Sequence, residues 1–148
     1  RDPPYPEKHR RRVRTYRFRG LEVILDTNAV SAFADGDKEI LRHLQNPSTG
    51  VHLPVIVLGE YRYGLKSSRH RAARERWLEE LESSSIVLNI NSATSRAYAD
   101  IRHQRRLAGQ PIPENDLWIA ALSRQHRLAI LSNDGHFDQV SGIQRLGW

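Results

Sequence analysis

The sequence predicts an α/β sandwich built on a central, mostly parallel sheet. Three observations carry that expectation. Short apolar runs, LEVIL, IVLNI and LAILS, alternate with longer amphipathic stretches, as strands do when helices cover both faces of a sheet. Two of these runs hand over to an acid at the same end, Asp26 after LEVIL and Asp134 just beyond LAILS, and sheets of this class carry their sites at the carboxyl edge. The chain, at 148 residues, has the size of one domain with a substantial core plus a tail.

The tail comes first. Residues 1–20, RDPPYPEKHRRRVRTYRFRG, hold eight Lys or Arg against Asp2 and Glu7, so they carry the whole net charge of +6, and residues 21–148 balance at zero. A Pro-rich, basic, weakly apolar stretch cannot bury enough surface to offset its ordering entropy. It reads as an extended arm that contacts RNA or a partner, or equally as a solvated extension without a role. The domain proper is expected over 21–148.

LEVIL is the first buried strand, rich in branched residues. Asn28 to Ala34 makes a short helix that ADGD breaks, and KEILRHLQ makes another with Ile40, Leu41 and Leu44 on one face. NPSTG stops it. After Val51 to Leu53, Pro54 is expected at the first helical position, opening VIVLGEYRYGL. RHRAARERWLEELESSS is strongly amphipathic, with Trp77, Leu78 and Leu81 inward. IVLNI is the next strand. SATSRAYADIRHQRRLAG is helical through Ala93, Ala97, Tyr98 and Ile101, and PENDLWIAALSRQHR carries start signals at its head. LAILS is the last clear strand, and NDGHFDQV and SGIQRLGW close the chain.

Four acids stand out against this frame. Asp26 and Asp134 leave two strands at one edge, although each is also a natural turn or helix-capping residue. Glu60 falls at helical spacing with Ile56, Val57, Tyr63 and Gly64, an apolar stripe where a carboxylate needs a partner. Asp116 sits in a first helical turn, where Asn115 could cap and acids suit the dipole, yet it shares a face with Ile119, Ala120 and Ser123. If the four converge, their mutual repulsion calls for a cation, and a hard divalent ion suits an all-carboxylate set. Zinc is disfavoured because the seven histidines show no HxH or HExxH spacing and there is no cysteine. His136 reads as a surface-loop histidine.

The blocks ILDTNAVSAF, LPVIVLGEYRYGL, PENDLWIAALSRQHRLAILSNDGHFDQV and GIQRLGW, in this order and spacing, resemble the PIN-domain ribonucleases, and more narrowly VapC-type toxins of toxin-antitoxin pairs. The resemblance covers residues 21–148 and leaves out the arm. It implies a PIN-like α/β/α sandwich and a metal-dependent endoribonuclease whose acidic cluster is Asp26, Glu60, Asp116 and Asp134. Asp26 and Asp116 would be the direct ligands of Mg²⁺, with Mn²⁺ as a substitute. Asn28 and Ser132 match supporting positions, and Asp134 rather than Asp138 matches the fourth acid. Glu60 would orient or deprotonate the attacking water, and Asp134 would position the first metal or recruit a second. An RNA substrate, a protein antitoxin and a homodimer are the partners it implies. Arg62 and the run Arg102 to Arg106 are candidates for bringing in the RNA backbone.

Other classes fit less well. An RNA-processing PIN nuclease without an antitoxin keeps the same chemistry, whereas a non-catalytic nucleic-acid-binding module would use the acids only as caps and salt bridges. A receiver-type phosphatase lacks the second Asp two residues after Asp26, where Asn28 stands, and no G-x-S-x-G motif supports a serine hydrolase. No apolar run approaches the roughly 18 residues of a membrane span, and the lack of cysteine and of a signal-like segment fits a reducing cytoplasm.

Overall fold

A computed structural model describes residues 21–148, and the expectations placed on the arm at 1–20 lie outside the described residues. The order is β1 (Glu22–Leu25), α1 (Thr27–Ala34), α2 (Lys38–Leu44), β2 (Gly50–Pro54), α3 (Val55–Leu65), α4 (Arg71–Ser83), β3 (Ile86–Leu88), α5 (Ser92–Leu107), α6 (Glu114–His126), β4 (Ala129–Leu131), a short 3-10 helix (Gly135–Gln139) and β5 (Arg145–Leu146). The five strands are all parallel, in the order β3-β2-β1-β4-β5. The chain builds outward from β1 on one side, then returns to build β4 and β5 on the other. The carboxyl ends of β1 and β4 therefore flank the topological switch point, where such sheets open a crevice.

The three strands expected from their apolar runs are β1, β3 and β4, and the structure adds two. In β2 the short VHL run carries His52 in its middle and ends at a proline, so it lacks a strand's sequence signature. Pro54 is the last residue of that strand and caps α3 (φ −61°, ψ 138°) instead of occupying its first turn. The other addition, β5, has only two residues and forms by pairing with Ile130 and Leu131 of β4.

The core fills the space between sheet and helices. Val23, Ile24, Leu25, Ile130 and Leu131 are completely buried, as are Ile119, Ala120, Ala121 and Leu122 of α6. That run is apolar on every side because its helix is covered both by the sheet and by α5. In α4, Leu78 and Leu81 are buried as expected, while Trp77 is half-buried at the rim, edge-on to Phe33 with ring centroids 5.4 Å apart. In α5 the inward position at the first turn belongs to Thr94, not Ala93, because Asn91 and Thr94 form a reciprocal capping box and Thr94 also donates to Gln125. No helix among the described residues is long and apolar enough to cross a membrane.

Candidate functional site

Asp26 is the first residue past β1 and the N-cap of α1, so the capping role and a place at the crevice coincide. Its Oδ1 accepts from the Thr27 amide at 2.8 Å, and its Oδ2 accepts from the Ser132 hydroxyl at 2.7 Å. The register that pairs Leu25 with Leu131 brings the two residues level. Ser132 Oγ in turn accepts from Asn28 Nδ2 at 3.2 Å and from the Asp134 amide at 2.9 Å. One buried hydroxyl thus ties together β1, α1 and the turn after β4. Burial pushes the Asp26 carboxyl above its usual value, the Ser132 and Thr27 hydrogen bonds oppose that, and the charges of Glu60 and Asp134 add to it.

Glu60 reaches the crevice from α3, half-buried, with Oε2 accepting from the Thr27 hydroxyl at 2.8 Å. The stripe expected around it is corrected by the structure. Val57 is buried, but Tyr63 is 81% exposed and Gly64 is exposed; the face against the core is Val57, Leu58, Tyr61 and Leu65. Because α3 is apolar on nearly every side, spacing alone does not choose the buried face. Glu60 consequently stands on the border between core and crevice. Arg62 does not approach it but pairs with Glu82 of α4.

Asp116 lies in the first turn of α6. The cap there is Pro113, so Asn115 sits inside the helix. The Asp116 side chain is only 13% exposed, and its pKa is pushed up to about 6, chiefly by burial, with the charges of Asp26 and Asp134 adding and His136 opposing. Asp134 caps the 3-10 helix through the His136 amide at 2.9 Å. The ring of His136 then turns back over the acids, with Nδ1 at 3.1 Å from Asp116 Oδ2 and 3.0 Å from Asp134 Oδ1. His136 does lie at the surface, with its side chain 46% exposed, and to that reading the structure adds the bridge to two acids. The hydrogen bond to Asp116, above all, raises its pKa. A signal was available in the sequence: Phe137 must anchor inward, and its complete burial fixes the short turn that aims His136.

The site residues do not meet equally. Asp116, Asp134 and His136 each present a donor atom, all within 4.8 Å of one another; Asp26 and Glu60 stand beside that triplet. Among the described residues no guanidinium pairs with any of the four acids, whereas Asp138 is held by both Nε and Nη2 of Arg145 at 2.8 Å. Acids that repel one another, mostly oxygen donors and no thiolate, suit a hard divalent cation. Of the basic residues considered for RNA, Arg102 engages Glu114 and Tyr98 on the surface. Arg105 is buried and committed to Gln110 and Gln139, each through backbone and side-chain oxygens; that is a structural task.

Replacing the shared hydroxyl tests how far position matters. Ser132→Ala leaves the Asp134 amide and one Asp26 oxygen without this partner, a loss of about 1–3 kcal/mol in stability, and it frees Asp26 to rotate. Urea unfolding is expected to show that loss, and Ser132→Thr is expected to recover most of it; equal stability of wild type and Ser132→Ala would dismiss the network.

Residues 23–143 match the family described as PIN domain. Among curated proteins the chain is similar to Ribonuclease VapC4 of Mycobacterium tuberculosis, 34% identical over 92 residues that span 61% of this chain and 71% of that protein. It is also similar to VapC ribonuclease Y4jK of Sinorhizobium fredii, 26% identical over 130 residues, 82% and 93% of the two chains. Among solved structures, VapBC2 from Rickettsia felis bound to a promoter DNA fragment superposes with a TM-score of 0.78 at 19% identity, over 86% of this chain and 99% of that one. VapBC-5 from Mycobacterium tuberculosis gives 0.65 at 27% identity, over 86% and 97%. The family match takes in β2, β3, β4, nearly all of β1 and all four acids, leaving out only β5 of the sheet, and by it the chain belongs to the PIN domain family.

Proposed function

We propose that this chain is a divalent-metal-dependent endoribonuclease, using Mg²⁺ or in its place Mn²⁺, and the toxin of a type II toxin-antitoxin pair acting in the cytoplasm. The observation that carries the reading is the gathering of Asp116 and Asp134 at one point of the switch-point crevice, with Asp26 and Glu60 beside them and, among the described residues, no guanidinium paired with any of the four. The names of the curated relatives support ribonuclease chemistry, and the VapBC complexes among the solved neighbours support an antitoxin.

Asp26 and Asp116 would hold the cation, with Asp134 beside them. A divalent ion held there would supply Lewis-acid chemistry, lowering the pKa of water and offsetting charge on the phosphate oxygens. Ser132 and the Thr27 amide fix the Asp26 carboxylate, and His136 bridges Asp116 and Asp134. Glu60 is oriented through Oε2 by Thr27, which leaves Oε1 to align the attacking water and accept its proton. RNA enters as a single strand or an unpaired loop, and an antitoxin would silence the crevice by inserting a basic side chain among the acids. Two copies of the chain would form a homodimer, as the family resemblance implies.

The test compares structured and single-stranded RNA with Mg²⁺, with Mn²⁺ and with EDTA. Cleavage is expected with either metal and none in the chelator. RNA binding that is indifferent to metal, without cleavage, would favour a nucleic-acid-binding module instead. Cleavage that persists in EDTA would reject the metal mechanism.

A further inference from the structure

Beside the acid crevice, on the outer side of α3, lies a second cleft of about 400 Å³ lined by Val55, Ile56, Gly59, Glu60, Tyr63 and Asn115. Glu60 belongs to both spaces, and Asn115 directly precedes Asp116 in α6. We infer that this cleft is a nucleobase subsite, in which a base of the RNA next to the cut stacks on Tyr63 and has its edge read by Asn115. The inference rests on the ribonuclease reading above.

Its chemistry sets it apart from a phosphate site. Among the described residues no cation lines the cleft and Glu60 contributes a carboxylate, a lining that favours the uncharged part of a nucleotide over its phosphate. Tyr63 is 81% exposed and Val55 is 40% exposed, so the ring face of Tyr63 is open for a planar group to stack on it. Gly59 lies between them on α3, and a Cβ placed there would meet nothing within 4 Å, which leaves a flat floor for a planar ring. Tyr63 is three residues from Glu60 on the same helix, so their side chains are neighbours on one face. A base held on Tyr63 therefore stands one helical turn from the group that aligns water. The Asn115 amide offers both a donor and an acceptor to a base edge, and unpaired RNA bases are recognised in this manner, by aromatic stacking with edge contacts.

The experiment uses the full chain carrying Asp116→Asn and reads binding of a short single-stranded RNA, and of the same RNA made abasic at one position at a time, by fluorescence anisotropy. Tyr63→Leu is expected to weaken binding about tenfold, and Tyr63→Phe to preserve it. One abasic position should reproduce the loss, with no further penalty when combined with Tyr63→Leu. Asn115→Ala should level the ranking of the four bases at that position, and the salt slope should stay unchanged because no phosphate contact is lost. Equal affinities for wild-type Tyr63 and Leu, or penalties that simply add, overturn the subsite. So does light scattering in which Tyr63→Leu turns a dimer into a monomer, since the face then belongs to a second copy. Binding with this pattern but no metal-dependent cleavage by the unsubstituted chain sinks the nuclease reading alone; no binding of any RNA sinks both.

Discussion

Asp116→Asn is expected to lower RNA cleavage by about a hundredfold or more while making the metal-free protein more stable at neutral pH. Both effects come from one carboxylate. Asp116 ionises at 3.8 in an ordinary setting and at about 6 in the fold, because burial and the charges of Asp26 and Asp134 disfavour the ionised form. The folded state thus holds this proton more tightly than the unfolded state does. Its contribution to stability is complete below pH 3.8 and is lost as the pH rises through about 6, a change of about 3 kcal/mol.

Asp26 and His136 also have raised pKa values, so their contributions run in the same direction. Asparagine cannot ionise, and the variant should lose less stability than wild type between pH 4 and 7 in EDTA. Mg²⁺ should raise the wild-type melting temperature at pH 7.5, since an ion that binds only the folded state stabilises it, and should do little for Asp116→Asn. Urea titrations at several pH values, paired with cleavage assays, check both halves. Parallel pH dependences for the two proteins would mean that Asp116 does not carry the strain.

Arg105→Met is expected to cost about 2–4 kcal/mol of folding stability and to leave the salt slope of RNA binding unchanged. The guanidinium is buried at 8% exposure and donates to the backbone and side-chain oxygens of both Gln110 and Gln139. Gln110 opens the segment that leads into α6 and Asp116, and Gln139 ends the 3-10 helix that presents Asp134 and His136. A single buried cation therefore clamps together the two segments that supply the tight donor triplet. Methionine preserves much of the packing volume but none of these bonds. Arg106→Ala, on the exposed face of the same run, should change stability by less than about 0.5 kcal/mol. Thermal and urea unfolding of the two variants decide the matter. A stable Arg105→Met with a reduced salt slope would return this residue to the phosphate-binding set.

The four acids were legible as a set because each breaks a local pattern. Asp26 and Asp134 follow apolar strands, Asp116 heads a helix apolar over the six residues that follow it, and Glu60 ends the apolar run of five residues that opens α3. Their partners were less legible. Glu60 finds Thr27 from 33 residues away, and Asp26 finds Ser132 from 106 residues away; no spacing rule spans such separations. His136 was read as a loop residue because its role depends on the way Phe137 locks the turn. Arg105 looked like its neighbours in RHQRR because one helical position separates a solvated arginine from a buried one.

The sequence by itself determined the alternation of strands and helices, the edge at which the acids emerge and the absence of thiolate chemistry among them. These follow from side-chain periodicity and residue type, which act over a few residues. Tertiary structure alone decided the strand order, the addition of β2 and β5, the face that α3 buries and the hydrogen bonds that hold each carboxylate. Those outcomes depend on which distant surfaces exclude water together, and that free energy belongs to the packed pair rather than to either segment.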